Sequence, residues 1–209
     1  MEQDFVYGEL PEEKLRINPK ELAARLQTDR GYTNALMEQC EADLRRVLAC
    51  RYTARRVLVA CDGDEIDLGF AKVKSHSLSR NLKGCKEAFV FALTLGMGVE
   101  RLLNRLSLLS ESEFFITDAL ASAMAEAACD CVETELKRDL AFRPRFSPGY
   151  GDLSLELQPK LLRFLEGQKL LGVTLNPSLL MTPMKSITAI MGVCHEEDKR
   201  CNQNGEAVL

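Results

Sequence analysis

Histidine, dense positive charge, long apolar runs and CxxC cysteine pairs are all scarce or missing in this sequence of 209 residues. Lys and Arg number 27 against 31 Asp and Glu, giving a net charge of -4, and no dense basic run occurs. Phosphate neutralisation needs clustered Lys and Arg, so nucleic acid is not an expected partner. The longest apolar stretch runs from Ala88 to Val99, 12 residues between Glu87 and Glu100, too short to span a bilayer. The start, MEQDFVYGEL, carries acids where a signal peptide needs a basic end and an apolar core. The expected location is therefore cytoplasmic, with no membrane partner. His76 is one of only two histidines and has no Ser or Cys in a nucleophile setting nearby, so no triad and no catalytic residue is assigned.

Apolar residues at 46% and charged residues at 28% describe a chain able to build a sizeable core. Eight cysteines stand at Cys40, Cys50, Cys61, Cys85, Cys129, Cys131, Cys194 and Cys201. Without CxxC pairs, and in a chain neither short nor secreted, they read mainly as small buried hydrophobes. Cys129 and Cys131 lie about 200° apart around a helix and cannot chelate one ion together. The tail Cys194-His195-Glu196-Glu197-Asp198 with Cys201 offers metal ligands, but its spacing matches no zinc knuckle, and no metal site is assigned. Asp62, Asp64, Glu65 and Asp67 lack the ligand order of a calcium loop and read as a solvated hairpin tip.

The chain has no internal repeat and no low-complexity linker. Residues 11 to 51 read as helical, with Asn18-Pro19 as an N-cap and first-turn pair. Asp62-Gly63-Asp64 between apolar runs predicts a hairpin, and Ser75 to Gly84 a loop or short helical turn. Ala88 to Leu95 predicts a buried strand that turns through Gly96-Met97-Gly98 into a helix carrying Val99, Leu102, Leu103 and Leu106 inward. Only two glycines stand in that turn, so it reads as a tight strand-to-helix turn rather than a dinucleotide loop. A long helix is predicted over 113 to 140. Ile116, Leu120, Ala123, Met124, Ala127 and Cys131 mark one face, while Asp118, Ser122 and Glu126 recur on another. Six alanines between 119 and 128 predict close packing against a neighbour. A last helix is expected from Pro159 to Gly172, and a strand or loop-strand segment from Pro183 to Cys194. Strands and helices mix without regular βαβ alternation, which predicts an α+β fold.

One loop differs in kind. Arg143-Pro-Arg145-Phe-Ser-Pro-Gly-Tyr-Gly-Asp152 sets two prolines and two glycines around one tyrosine. Such a stiffened loop can present a guanidinium to a carboxylate-bearing ligand, or can simply join two helices. Here Arg145-Phe-Ser-Pro-Gly-Tyr150 resembles the Arg-x-x-Pro-Gly-Tyr signature of the activation domain of vitamin B12 (cobalamin)-dependent methionine synthase. Met181-Thr-Pro-Met-Lys-Ser-Ile-Thr188 is similar to that family's Met-x-Pro-x-x-Ser segment. Gly63 to Leu68 resembles its hairpin, and Ala92 to Gly96 its strand before a helix. The resemblance spans roughly 55 to 195 in colinear order.

The resemblance implies helices packed around a twisted antiparallel sheet, in a stand-alone short form of the family. It divides the chain into an N-terminal helical segment 1–54, an activation-domain-like core 55–195 and a polar tail 196–209, one structural unit overall. It also implies an accessory component rather than a complete methyltransferase. Such a module binds S-adenosylmethionine and docks on the cobalamin-binding module of a methionine synthase or related corrinoid protein. There it supports reductive remethylation of cob(II)alamin in methionine biosynthesis, with the cobalamin supplied by the partner protein. Electrons come from a flavodoxin- or ferredoxin-like protein. Arg145 is carried over as the contact to the cofactor carboxylate, with Ser147, Gly149 and Tyr150 beside it; Asp152 is a local candidate for the cofactor's cations. The chain departs from the family after Tyr150, where Gly-Asp-Leu-Ser-Leu replaces a Pro-Ala-Cys-Pro type segment, and it lacks a tyrosine beyond the Met-x-Pro segment. Two other functions stay open: a corrinoid-protein or metal-cluster redox partner using Cys194 and Cys201, and a docking scaffold without cofactor.

Overall fold

The alternation of β6 (Glu87–Thr94) organises the molecule. Phe89, Phe91 and Leu93 point into one apolar cluster, while Ala88, Val90 and Ala92 point into a second on the opposite face. A strand buried on both faces needs a layer on each side, and the chain supplies both. The computed structural model describes residues 5–26, 33–137 and 140–194.

β6 lies at the centre of a five-stranded antiparallel sheet with β1 (Phe5–Glu9), β2 (Arg51–Leu58), β7 (Ala141–Phe142) and β10 (Ser186–Cys194), in the order β1-β2-β6-β10-β7. Tyr52 pairs with Leu93 and Ala189 with Phe91, so the inward residues of three strands share one face. On that face lie α1 (Pro19–Leu26), α2 (Asn34–Val47), α4 (Met97–Leu109) and α5 (Glu111–Lys137). The other face carries α3 (His76–Asn81), α6 (Gln158–Phe164), α7 (Gly167–Leu171) and the small sheet of β3 (Ala60–Asp62), β4 (Glu65–Asp67) and β5 (Lys72–Lys74). A last short pair, β8 (Thr174–Leu175) with β9 (Met181–Thr182), leads into β10. This is the predicted α+β class.

α5 is the central helix. Its six alanines from Ala119 to Ala128 are all buried, and it packs against α1, α2 and α4 as well as the sheet. Small side chains let several neighbours approach one axis, which is the packing the alanine run predicts. The buried surface is wider than the predicted face, taking in Thr117, Ala121, Ala125 and Val132 as well, and Cys129 is fully buried while Cys131 is only partly so. The predicted caps are present as well. Asn18 Oδ1 accepts from the Lys20 amide at 3.0 Å, and the hairpin turns through Gly63 with φ +58° and Asp62 opposite Glu65.

Two expectations are corrected. The N-terminal segment is not wholly helical: β1 pairs residue for residue with β2, from Phe5 opposite Arg55 to Glu9 opposite Arg51. The helix expected over 159–172 is two short helices, α6 and α7, parted at Glu166 with φ +53°. Two contacts distant in sequence, to Thr53 and Arg55, and one local one hold the break. Thr53 Oγ1 donates to the Leu165 carbonyl at 3.2 Å, and the Glu166 carboxylate accepts from Arg55 at 2.9 Å and from Lys169 at 3.0 Å. A Cβ on Gly167 would lie 2.8 Å from Leu162 Cδ2, so glycine here lets the Leu162 side chain pack against the turn.

The strand-to-helix turn at 96–98 serves packing. Gly96 has φ +94°, and a Cβ on Gly98 would overlap the Val47 carbonyl oxygen at the end of α2. Here the two glycines let α4 start against α2. Among the described residues, no helix is long and apolar enough to cross a membrane.

Candidate functional site

The loop from Arg143 to Asp152 hangs from the edge of the main sheet. Arg143 N donates to the Gly192 carbonyl at 2.9 Å, and Phe146 exchanges two 2.9 Å backbone hydrogen bonds with Ile190. These bonds continue the pairing of β7 with β10 and fix which way each side chain leaves. Phe146 packs toward the cluster that holds α3 and α6, with Tyr150 edge-on to its ring at 6.4 Å. Arg145 turns instead to α5. Its Nη1 lies 2.8 Å from Asp130 Oδ1 and 2.9 Å from Glu133 Oε1, and its Nη2 lies 3.3 Å from Glu126 Oε2.

Glu126, Asp130 and Glu133 follow at helical spacing i, i+4 and i+7, so they share one face of α5. They extend the polar stripe that begins at Asp118 and Ser122. A second cation meets that stripe. Lys185 Nζ is 2.8 Å from both Asp118 Oδ1 and Ser122 Oγ, with only 14% of its side chain exposed. Lys185 belongs to the Met181–Thr188 motif, whose Ser186 is buried and donates to either Thr94 Oγ1 at 2.9 Å or the Pro183 carbonyl at 2.7 Å. The motif serine thus locks the approach to β10, and the lysine before it reaches α5.

The electrostatics follow from this crowding. Burial works against the charge on Arg145, but the Asp130 hydrogen bond and the neighbouring anions outweigh it and raise the guanidinium pKa further. Burial raises the Glu133 pKa, opposed by Arg145. Burial also pushes the Cys129 thiol upward, with Arg145 working against it. One guanidinium facing three carboxylates leaves net negative charge, a donor set suited to a ligand that carries both an ammonium and a carboxylate.

The other carried-over residues are placed differently. The Ser147 carbonyl accepts from the Tyr150 amide at 3.1 Å, which closes the turn. Gly149 has φ +93°, and its amide donates to the Leu153 carbonyl at 2.8 Å. Tyr150 is 60% exposed. The structure therefore brings Arg145 to the α5 acids, while Ser147, Gly149 and Tyr150 form the turn beyond it.

Asp152 is already committed. It accepts from Ser75 Oγ at 2.6 Å, from the His76 amide at 2.7 Å and from the Ser77 amide at 3.1 Å, at the start of α3. The Ser75 hydrogen bond, with the two amides, holds its pKa far below the usual carboxylate range despite partial desolvation. This carboxylate ties the loop to α3 and, through His76 Nδ1 at 3.0 Å from Asp64, to the hairpin.

The acids that sequence reasoning missed are Asp130 and Glu133. The signal for them is present, since the stripe at 118, 122 and 126 continues in the same register. Among the described cysteines, Cys40, Cys50, Cys85, Cys129 and Cys194 are buried, Cys131 is half-buried and Cys61 is exposed. Burial pushes the Cys50 thiol up to about 12, so it is no thiolate at neutral pH. Among the described residues, no group of three or more His, Cys, Asp or Glu is placed to hold a metal ion. Of the candidate metal-binding tail only Cys194 is described; His195, Glu196, Glu197, Asp198 and Cys201 lie outside the described residues.

No protein-family model matches the chain, and no curated protein matches it. Among solved structures it is similar to a crystal structure of the MetH reactivation domain bound to AdoHcy. The TM-score is 0.68 and the sequence identity 15%, over 90% of this chain and 78% of that chain. The chain has the fold of the MetH reactivation domain, the arrangement of helices around a twisted antiparallel sheet that its two motifs predict.

Proposed function

We propose that this protein is an S-adenosylmethionine-binding reactivation module that supports reductive remethylation of cob(II)alamin on a cobalamin-dependent methionine synthase. The cobalamin belongs to the partner's cobalamin-binding module, and a flavodoxin- or ferredoxin-like protein supplies the electron. The observation that carries the reading is the ion pair of Arg145, from the signature loop, with Glu126 on α5, inside a fold shared with a domain solved with AdoHcy.

S-adenosylmethionine brings a carboxylate, an ammonium and a sulfonium. The chain offers matching groups side by side. Arg145 would take the carboxylate through Nη2, and Glu126 would take the ammonium. The 3.3 Å contact between them is the longest of the three ion pairs that Arg145 makes among the described residues. Opening it exchanges one ion pair for two, with Asp130 and Glu133 still on Nη1. Ser147, Gly149 and Tyr150 would flank the ligand from the turn. When bound, the cofactor supplies the methyl group; this chain binds and orients it.

Isothermal titration of S-adenosylmethionine into the protein, alone and with a cobalamin-binding module, tests the reading. Binding is expected, and Arg145→Ala should weaken it by at least about 1.5 kcal/mol, the low end for a charge-assisted hydrogen bond. Absence of binding in both settings overturns the cofactor role. A second reading, a docking scaffold without cofactor, is favoured by one observation: Arg145 and Asp152 already have protein partners for their charges. Binding of the cobalamin module with no response to S-adenosylmethionine would select it.

A further inference from the structure

We infer that Asp130 and Glu133 are positioning residues that pin Arg145 through Nη1, and that their surplus negative charge makes the site prefer the sulfonium ligand over its neutral thioether product. The inference rests on the reading just given and concerns the specificity of the same site.

A guanidinium has two terminal nitrogens, and here they do different things. Nη1 holds Asp130 and Glu133 at 2.8 and 2.9 Å, while among the described residues Nη2 holds only Glu126, at 3.3 Å. Two short contacts on one nitrogen set the plane of the group. The third, longer contact is the one that opens at least cost. With Nη1 anchored, Nη2 and Glu126 form the edge that receives an amino-acid head group, and the arginine need not reorganise to bind.

Charge counting gives the specificity. Glu126 balances the ligand ammonium, and Arg145 balances the ligand carboxylate. That leaves Asp130 and Glu133 sharing the field of one arginine that also faces the ligand. Lys137, one turn beyond Glu133, acts on Glu133 at longer range and makes no ion pair with it among the described contacts. A ligand with a sulfonium gains from this surplus; a thioether of the same shape does not. A unit charge ~8 Å away, at an effective dielectric of ~40, changes affinity about fivefold. Asp130 is 72% exposed and Glu133 32%, so Glu133 contributes the larger share.

The test compares S-adenosylmethionine, S-adenosylhomocysteine and 5′-methylthioadenosine, which lacks the amino-acid head, on wild type, Asp130→Asn, Glu133→Gln, the double variant and Asp130→Glu. In the double variant, which removes two charges, the preference for S-adenosylmethionine over S-adenosylhomocysteine should fall by at least about fivefold, the effect of one unit charge, with 5′-methylthioadenosine affinity unchanged. Asp130→Glu should keep the preference. Side-chain NMR of Arg145 should show separate Nη–H signals in wild type that merge in the double variant. An unchanged preference, or an equal loss for all three ligands, overturns the inference while leaving cofactor binding intact. Wild type that binds none of the three removes the parent reading and this inference together. Separate Nη–H signals persisting in the double variant would overturn the pinning role by itself.

Discussion

The Tyr52 hydroxyl lies 2.6 Å from Glu135 Oε2, and the path between them exists because residue 8 has no side chain. Tyr52 is almost fully buried, and its ring crosses directly over Gly8 of β1 on the way to α5. Burial and then the Glu135 hydrogen bond raise the tyrosine pKa, so the phenol stays a donor. Lys14 also meets Glu135, at 3.1 Å. The contact thus joins β1, β2, the segment after β1 and the central helix.

That relationship gives the first prediction. A Cβ at position 8 would lie 2.5 Å from Tyr52 Cε1, so Gly8→Ala should destabilise the protein by about 1–3 kcal/mol, the usual cost of overpacking. Urea denaturation measures it. In a Tyr52→Ala background the additional cost of Gly8→Ala should vanish, and a cost that persists would show that the ring is not the obstacle.

Gly98, at the start of α4, makes a similar demand. Its missing Cβ admits the Val47 carbonyl, which is backbone and cannot rotate away. Gly98→Ala should therefore cost about 3 kcal/mol in thermal or urea unfolding, at the upper end for overpacking. The helix propensity of alanine, better than glycine by about 1 kcal/mol, works in the opposite direction and will not rescue it.

Asp152 predicts a pH dependence. Its folded pKa is depressed by Ser75 and the two amides of α3, so it stabilises the fold above the unfolded carboxylate value of about 3.9. That contribution falls as pH drops below this value toward the folded pKa. Asp152→Asn should be less stable than wild type at neutral pH, and the two should converge on acidification. A constant difference down to pH 2 would remove the carboxylate from the account.

Arg145→Ala predicts the opposite sign. Without the guanidinium, only the more distant Lys137 opposes the burial that already raises Glu133, and three carboxylates face one another. A carboxylate whose folded pKa lies above its unfolded value loses stability as pH rises through that interval. The variant should be near wild type below pH about 4 and less stable by about 2 kcal/mol at pH 7. Denaturation at a series of pH values checks this, and adding Glu133→Gln should recover part of the loss.

Much of the architecture is legible in local chemistry. A continuous apolar run rich in β-formers marks β6, the period-3.6 patterns mark α4 and α5, and Asp-Gly marks the β3–β4 hairpin. Asn18-Pro19 marks the start of α1, and the alanine run marks the helix that others crowd against. Each signal is carried by residues within a few positions of one another. β1 is not legible in that way: its five residues become a strand because Arg51 to Arg55 lie alongside them.

The sequence by itself determined the class of fold and singled out the loop around Arg145 and the segment around Ser186. Only the tertiary structure decided where those side chains go. It sends Arg145 to three acids on α5 and Lys185 to Asp118, parts Arg145 from the Tyr150 turn, and uses Asp152 to hold α3. The reason is physical. Composition and spacing set what a loop can bend into, but the direction of a side chain follows from backbone pairing with a distant strand. Here that pairing is the bonds of Arg143 and Phe146 to Gly192 and Ile190.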